Sequence, residues 1–402
     1  MAEWKEYTVA DVISTVIDYR GKTPKKLGGE WGDSGYRALS AKNIKTGKIV
    51  QADSIRYVSE EMYKCWMKEE VQKEDILITS EAPFGQIYYW DSDEKIVLSQ
   101  RLFAVRVNQR FYPKYIYFYM TSSFFQAELD GRATGTTVVG LRQPELLKCK
   151  IFAPDYQEQK RIADTLWCIE QKINNNEAIN NNLEQQAMAL FKSWFIDFEP
   201  FEWQVPKTWI NGVLGEFVEI KRGGSPRPIQ KFLSNNGFHW LKISDATCIS
   251  SPFINEIKEY IIEAGLKKTV YLKSGSLVLS NSATPGLPKI LDIDTCIHDG
   301  WLYFPSSKFS NEYLYLYFKH IRGNLIALGN GSVFTNLKTD ILKNYPTYLP
   351  TENVLKEFDG LVQPIFSMML SKTRETKRLA EIRDTFLPKL MSGELDVSNI
   401  EL

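Results

Sequence analysis

The feature that most constrains this chain is an internal repeat with a separation of about 200 residues. Similar segments occur in the same order in both halves, and their separation drifts from 202 down to 196. The pairs are RGKTP at 20–24 with RGGSP at 222–226, YRAL at 36–39 with FHWL at 238–241, DILITS at 75–80 with SLVLSN at 276–281, YIYFY at 115–119 with YLYLY at 313–317, and 135–154 with 331–350. Because 402 residues suffice for two domains of ordinary size, the repeat predicts two copies of one fold.

Each half closes with a long stretch in which apolar residues recur at alternating spacings of four and three, as in a coiled coil. In the first stretch these seam positions are Ile162, Leu166, Ile169, Ile173, Asn176, Asn180, Leu183, Ala187, Leu190 and Trp194. Adding 196 to each gives Phe358, Val362, Ile365, Met369, Lys372, Thr376, Leu379, Arg383, Phe386 and Leu390. Polar residues occupy the middle of both seams, so both stretches are predicted to be helices of one design.

Capping signals mark where these two helices begin. Asp155 is followed three residues later by Glu158, which predicts a capping box, and Thr351 takes the corresponding place in the second helix. About 36 residues at 1.5 Å each make a helix of roughly 55 Å. A seam of that length favours packing of the two helices against each other as a coiled coil, although packing of each helix on its own domain is the alternative.

Two segments at the helix ends carry a resemblance to a known family. They are LFKSWFIDFEPF at 190–201 and FLPKLMSGEL at 386–395. With the duplicated architecture, they resemble the specificity subunit of type I restriction-modification enzymes over essentially the whole chain. The resemblance implies an α+β protein with two target recognition domains at 1–155 and 201–350, related by a pseudo-two-fold axis. A central helix at 156–200 and a distal helix with C-terminal tail at 351–402 would separate them as an antiparallel pair.

The resemblance also implies what this chain binds. It would read an asymmetric two-part sequence in double-stranded DNA, one half-site per recognition domain. It would assemble with two adenine methyltransferase subunits and, for cleavage, with two restriction subunits that translocate and cut DNA. S-adenosylmethionine, ATP and Mg²⁺ are expected in those partners, and no catalytic residue, cofactor or metal is expected in this chain.

Motifs of catalytic sites are incomplete in this sequence. RGKT at 20–23 lacks the first glycine of a phosphate-binding loop, because Val16 stands there. Asp155 and Glu158 fit a nuclease less well than a helix cap. The tetrad Asn-Pro-Pro-Phe/Tyr, which amino-methyltransferases use to hold the target amine, does not occur. Cys296 with His298 offers possible metal ligands, but the first half has LSQR at the corresponding place.

Composition sets weaker limits. The formal net charge is zero, yet Lys plus Arg against Asp plus Glu is 22 to 21 for residues 1–155 and 16 to 12 for residues 201–350. This small basic excess permits DNA binding without demanding it. The five scattered cysteines are predicted to be free thiols. No apolar run is long enough to span a membrane, and a cytoplasmic location is expected.

Side chains that form paired or forked hydrogen bonds to base edges, or that contact phosphates, stand in loops at matched positions of the two halves. In the first half the candidates for DNA contact are Arg20, Lys22, Lys25, Lys42, Asn43, Ser80, Gln100, Arg101, Thr134 and Thr136. In the second half they are Arg222, Ser225, Arg227, Lys242, Ser244, Asn281, His298, Asn330, Ser332, Thr335 and Asn336. For any one of them, a solvated or turn-stabilising role is the alternative.

Aromatic residues invite two interpretations. The stripes at 115–119 and 313–317 could stack on unpaired bases, but their amphipathic spacing favours core packing. The cluster of Phe191, Trp194, Phe195 and Phe198 is expected to bury a contact with a domain or with a methyltransferase.

Three other functions compete with the DNA-reading interpretation. The chain could be the specificity chain of a related fused or heterotrimeric restriction-modification system. It could be a coiled-coil adaptor that binds protein and no DNA. It could also be a self-sufficient methyltransferase or nuclease with an unrecognised site.

Overall fold

The chain forms two compact units. The computed structural model describes residues 4–135, 139–329 and 336–395. The first unit comprises Met1–Lys172 with Leu379–Leu402, and the second comprises Ile173–Arg378. Each unit therefore holds one copy of the sequence repeat together with part of both long helices.

The first unit is built on four small sheets. Its four-stranded antiparallel sheet has the order Ile13–Asp18, Leu102–Val107, Ile76–Thr79, Ile87–Tyr89, and its three-stranded sheet has the order Arg56–Val58, Tyr36–Leu39, Val97–Leu98. Two-stranded pairs join Lys5–Thr8 to Lys150–Ala153 and Ile44–Lys45 to Lys48–Ile49. The α-helices are Val9–Val12, Glu60–Trp66, Pro113–Thr121, Ser123–Arg132 and Gln143–Leu147, and the 3₁₀ turns are Pro24–Leu27, Ala41–Asn43 and Ala52–Ser54.

The second unit repeats this plan with larger sheets. One five-stranded sheet has the order Lys221–Arg222, Trp301–Tyr303, Leu277–Ser280, Pro288–Leu291, Phe253–Ile254, and the other has Leu233–Ser234, Tyr260–Ile261, Phe238–Leu241, Thr295–Ile297, Val270–Leu272. Ile210–Val213 pairs with Pro346–Leu349. The α-helices are Leu214–Phe217, Ile243–Thr247, Asn311–Gly329 and Thr339–Lys343, and the 3₁₀ turns are Glu199–Phe201, Ile229–Lys231 and Glu263–Lys268.

Strand register shows which residues of the two units are equivalent. Leu102 lies opposite Thr79 in the first unit, as Trp301 lies opposite Ser280 in the second. These pairs give separations of 199 and 201, close to the sequence repeat.

One part of the sequence alignment needs correction. The next strand pairs Phe103 with Asp18 in the first unit and Leu302 with Arg222 in the second. Arg222 therefore corresponds to Asp18, a separation of 204, and not to Arg20 as the matching RG motifs suggest. The separation between equivalent residues is again 202 at Gly35 and Gly237, which both have positive φ. The two-residue difference therefore arises between the strand and these glycines, in the segment with the glycine-rich turn.

Two long helices run between the repeated segments and after them. The central helix is Tyr156–Phe195 and the distal helix is Glu352–Met391, so each has 40 residues and their ends are 196 residues apart. Asp155 caps the central helix, because its Oδ1 accepts a hydrogen bond from the Glu158 amide at 3.0 Å. The Glu158 carboxylate accepts from Arg161, so the cap forms on the Asp155 side of the predicted box.

The two helices pack against each other in opposite directions within each unit. In the first unit the start of the central helix, with Ile162 and Leu166, shares a core with Leu390 at the end of the distal helix. In the second unit Phe191 near the end of the central helix shares a core with Phe358 near the start of the distal helix. Both interfaces also include residues of the recognition segments. The predicted mixed α and β fold with two similar units and a long antiparallel helix pair is confirmed.

Near its far end the predicted seam departs from the buried face at Phe386, whereas Leu390 is buried as predicted. Phe386 is 38% exposed, whereas Leu387 packs against the core and Met391 is buried. In the central helix Phe191 and Phe195 are likewise buried one position after the predicted seam. A straight helix with 3.6 residues per turn drifts by about 20° per heptad from a 3.5-residue repeat, so the buried face shifts toward the following residue and comes to include Met391 beside Leu390.

Aromatic side chains fill both cores. Residues 115–119 and 313–317 are buried in the helices that cover the sheets, which confirms core packing for both stripes. Phe191 and Phe195 contact the ring of Tyr313, so the aromatic cluster of the central helix buries a contact within its own unit. No helix in the described part of the chain is long and apolar enough to cross a membrane.

Candidate nucleic-acid interface

Four chain segments meet at one end of the sheet in the first unit. The Ser80 amide, directly after a buried strand, donates to the Arg101 carbonyl at 2.9 Å, and the Leu141 amide donates to the Ser80 carbonyl at 2.9 Å. The fourth segment follows strand Ile13–Asp18 and is tied to the others by Arg20, whose Nη1 donates to the Leu141 carbonyl at 3.1 Å. Main-chain ladders thus bring together loops that are far apart in sequence.

These segments enclose an open cleft of about 830 Å³. Its lining is mostly polar and charged and consists of Asp18, Arg20, Gly21, Thr23, Lys26, Ser80, Glu81, Gln100, Arg101, Thr134, Gly140, Leu141, Arg142 and Gln143. A neighbouring cavity of about 330 Å³ shares Thr23, Gln100 and Arg101 with it and also includes Lys42. The sequence predictions Arg20, Ser80, Gln100, Arg101 and Thr134 thus lie together.

Arg20 and Arg101, two of the three arginines in this cleft, have different environments. Arg20 uses Nε and Nη2 on the carboxylate of Asp18 and Nη1 on a carbonyl, and its guanidinium lies over the ring of Phe103. Its forked donors therefore stabilise the loop. Arg101 instead forms an ion pair with Glu81, with Nε 3.0 Å from Oε1, and is half exposed.

Some candidates of the first unit have internal roles. The Lys22 ammonium donates to the Trp66 carbonyl at 2.9 Å and lies over the ring of Tyr19. Asn43 is buried, and its Nδ2 donates to Ser54 Oγ at 3.1 Å. Lys25 is exposed on a 3₁₀ turn and is absent from the cleft lining. The Asn43 amide is thus occupied inside the unit, and the Lys22 ammonium is anchored to the main chain of helix Glu60–Trp66.

The second unit builds the same edge with different side chains. The Asn281 amide donates to the Gly300 carbonyl at 2.8 Å, and the Leu337 amide donates to the Asn281 carbonyl at 2.7 Å. Asn281 and Gly300 therefore occupy the places of Ser80 and Arg101. The shared backbone contacts show that this edge is a feature of the repeated fold.

Asp299 organises the loops at this second edge. Its carboxylate accepts from Ser225 Oγ at 2.7 Å and from Arg227 at 3.2 Å. Its carbonyl accepts from Arg222 Nε and from Asn281 Nδ2. The hydrogen bond from Ser225 lowers the pKa of Asp299 below its usual range, so the carboxylate is ionised at neutral pH and binds Ser225 and Arg227, while the carbonyl binds Arg222 and Asn281.

His298 lies at the same edge and is a neutral hydrogen-bond donor. Its Nδ1 accepts a hydrogen bond from the Gly300 amide at 2.8 Å, which leaves the proton on Nε2. Burial lowers the pKa of His298 below its usual range. At neutral pH the ring therefore offers one N–H donor and no charge.

The remaining candidates of the second unit lie apart from the loops that Asp299 organises, are largely exposed, or fall outside the described residues. The Lys242 ammonium pairs with Glu259, while Ser244 and Asn336 are exposed. The Arg227 side chain is 82% exposed and has room to move. Thr136, Asn330, Ser332 and Thr335 fall outside the residues that the structure describes.

Sequence reasoning missed the acidic residues of both edges. Asp18 and Glu81 line the first cleft with Arg142 and Gln143, and Asp299 organises the second. DNA phosphates repel carboxylates, which argues against acidic residues at a DNA interface. Carboxylates nevertheless accept hydrogen bonds from the amino group of cytosine. Glu81 follows directly after a buried strand, and that position alone could have identified it.

The cysteines do not contribute to these edges. All five are free thiols, as predicted, and burial raises the pKa of Cys149 and of Cys296 to about 12. Among the residues that the structure describes, no three His, Cys, Asp or Glu side chains are grouped to hold a metal ion. Cys296 is buried within strand Thr295–Ile297.

Comparison with known proteins places the chain in a family. The model of the type I restriction modification DNA specificity domain family matches residues 1–185 and 206–360. The type I restriction enzyme MjaIX specificity subunit of Methanocaldococcus jannaschii is 26% identical over 348 residues, which cover 82% of this chain and 79% of that protein. The type I restriction enzyme HindI specificity subunit of Haemophilus influenzae is 23% identical, and the match covers 98% of this chain and 100% of that protein.

A solved structure supports the fold. The S subunit of a type I restriction-modification system from M. genitalium superposes with a TM-score of 0.62 at 15% identity, over 97% of this chain and 96% of that one. The family match, the full-length relatives and the fold agree: this chain belongs to the family of type I restriction-modification DNA specificity subunits.

Proposed function

We propose that this specificity subunit reads an asymmetric, two-part sequence in double-stranded DNA, with one half-site for each unit. The reading edges are the two sheet ends described above, and the target recognition domains are residues 1–155 and 201–350. One observation carries the proposal: equivalent backbone ladders present Ser80, Gln100 and Arg101 in one unit and Asn281, Asp299 and Gly300 in the other. A shared scaffold with different side chains suits two half-sites of different sequence.

The chemistry of the system lies in other subunits, because this family supplies specificity. The chain assembles with methylase and restriction subunits, and we propose two of each in the complete complex. The methyltransferases use S-adenosylmethionine to methylate adenine, and the restriction subunits use ATP and Mg²⁺ to translocate and cut DNA. The role of this chain is geometric, since it selects the sequence on which its partners act.

The residues at the two edges divide into those for which we propose DNA contact and those that hold the loops in place. We propose base or phosphate contact for the exposed or partly exposed candidates Lys42, Gln100, Arg101, Thr134, Arg222, Ser225, Arg227, His298 and Asn336, whereas Ser80 and Asn281 are buried and shape the loops around them. Arg20, Asp18 and Asp299 hold the loops in place through their internal bonds. Supports of this kind limit the reorganisation that DNA binding requires.

Mapping of methylated adenines tests the proposal. The chain is co-expressed with the methyltransferase encoded beside it in a host that lacks other adenine methylation, and the genome is sequenced for N6-methyladenine. We expect a motif of two short half-sites with a fixed spacer, which disappears when this chain is omitted. Methylation that does not depend on the chain would contradict the proposal.

Two alternatives give different results. A specificity chain of a fused or heterotrimeric system would produce the same kind of motif but a different subunit composition, which the mass of the purified complex reports. A coiled-coil adaptor without DNA affinity would show no salt-dependent retention of duplex DNA in the complex.

A further inference from the structure

Arg101 has a backbone conformation that disfavours every residue except glycine. Its φ is +62°, in the left-handed region where a Cβ is crowded. Neighbouring ladders impose this conformation, because the Gln100 carbonyl accepts from the Ala41 amide at 3.1 Å and the Arg101 carbonyl accepts from the Ser80 amide at 2.9 Å. A strained non-glycine residue that the surroundings hold in place is a feature of functional sites.

The second unit has glycine at this position and excludes a side chain there. A Cβ on Gly300 would lie 2.3 Å from His298 Cε1 and 2.7 Å from Ser282 Oγ. The imidazole therefore fills the space that the first unit gives to an arginine. Gly300 itself does not have positive φ, so the repeated fold does not require the left-handed backbone, and the strain at Arg101 is a feature of the first unit alone.

The Arg101 side chain is accessible and only loosely held. It is 49% exposed and lines both the large cleft and the neighbouring cavity. Its Nε meets Glu81 Oε1 at 3.0 Å, and the glutamate is also partly exposed. An ion pair this open to water is weak, so a ligand with suitable acceptors can replace the carboxylate.

We propose that Arg101 reads a guanine in the half-site of the first unit and that Glu81 holds Arg101 back from other bases. This inference rests on the proposed function. Guanine presents two acceptors, O6 and N7, to which a guanidinium donates two hydrogen bonds. Adenine presents N7 beside an amino donor, so it cannot replace the carboxylate of Glu81. The competing ion pair thus raises the selectivity of Arg101 for guanine.

The experiment compares four variants in the complex of this chain with its methyltransferase. Arg101→Gly removes the reader and suits the left-handed backbone. Arg101→Lys keeps the charge and the strain but lacks the fork. Glu81→Gln removes the restraint. The control is Glu60→Gln with Lys64→Gln, which removes an exposed ion pair on helix Glu60–Trp66, away from the cleft. Affinity is measured for duplexes that change each base pair of the motif in turn, and methylated sites are mapped.

We expect Arg101→Gly to make one G·C position of the first half-site degenerate, with a loss of discrimination of about 5- to 150-fold. Arg101→Lys is expected to keep general affinity and lose part of the preference at the same position. Glu81→Gln is expected to strengthen binding to duplexes that lack this guanine. The second half-site stays unchanged in all variants, and the control keeps the whole motif.

An unchanged motif with Arg101→Gly would overturn the inference, as would full preference with Arg101→Lys. Unaltered binding of duplexes without the guanine in Glu81→Gln would refute the role of Glu81. If the unmodified chain directs no methylation and binds no DNA, the proposed function fails, and this failure is distinct from either result above.

Discussion

At the scale of single residues, the molecule places several polar groups where burial changes their chemistry. Lys289 is 3% exposed, and its ammonium donates to the carbonyls of Ile249 and Ser251. Burial lowers the pKa of Lys289 to about 8. The two carbonyls accept two of the three N–H donors of the ammonium.

This pKa shift predicts how stability depends on pH. The folded state loses its proton near pH 8, whereas an unfolded lysine keeps it to about pH 10.4. Between these values the unfolded state binds more protons, so the free energy of unfolding rises with pH, by at most about 1.4 kcal/mol per pH unit. Below pH 8 both states are protonated and the contribution is flat.

Denaturant unfolding at several pH values, compared with Lys289→Met, measures this effect. The difference between the two proteins should change only between pH 8 and about 10.4. A difference that is constant through this window would show that Lys289 remains charged in its site.

At the scale of elements, the long helices were the easiest feature to predict, because their hydrophobic period repeats over 40 residues. The period alone did not place the end of the seam. Each helix packs on the cores of the recognition segments as well as on the other helix, so the exact stripe that is buried depends on tertiary contacts.

Substitutions at the end of the distal helix test the corrected seam. Leu390→Ala should lower the free energy of unfolding of the first unit by about 2–5 kcal/mol, because Leu390 is fully buried. Phe386→Ala should change it by less than about 1 kcal/mol, since Phe386 is 38% exposed and outside the buried core. Chemical denaturation of both variants measures the two effects, and equal losses would restore Phe386 to the seam.

A polar layer in the central helix gives a second prediction at this scale. Asn176 is buried, and both ends of its amide lack a hydrogen-bond partner among the described residues. An unpartnered buried amide costs about 1–3 kcal/mol, so Asn176→Leu should raise the midpoint of thermal unfolding. Asn180→Leu is the matched control, because it breaks a 3.1 Å bond to Thr373 and should not stabilise. Destabilisation by Asn176→Leu would show that the amide is satisfied, for example by a buried water.

At the scale of the whole molecule, the two units share a backbone plan and differ in the side chains at its reading edge. We therefore expect replacement of residues 1–155 with the corresponding segment of another family member to change one half-site and leave the other intact. Methylation mapping of the chimera in complex with the methyltransferase checks this. Replacement of residues 201–350 is the reciprocal control, and a chimera with both half-sites altered would contradict independent reading.

The sequence by itself determined the duplication, the two long helices and the aromatic cores, because periodicity and repetition are written in the order of residues. Only the tertiary structure decided which loop residues meet. The pairing of Glu81 with Arg101, the hub at Asp299 and the match of Arg222 with Asp18 all depend on strand register and loop closure, which join segments 20 to 80 residues apart. Local patterns do not encode such distances, and a shift of two residues in one turn leaves every hydrophobic period intact.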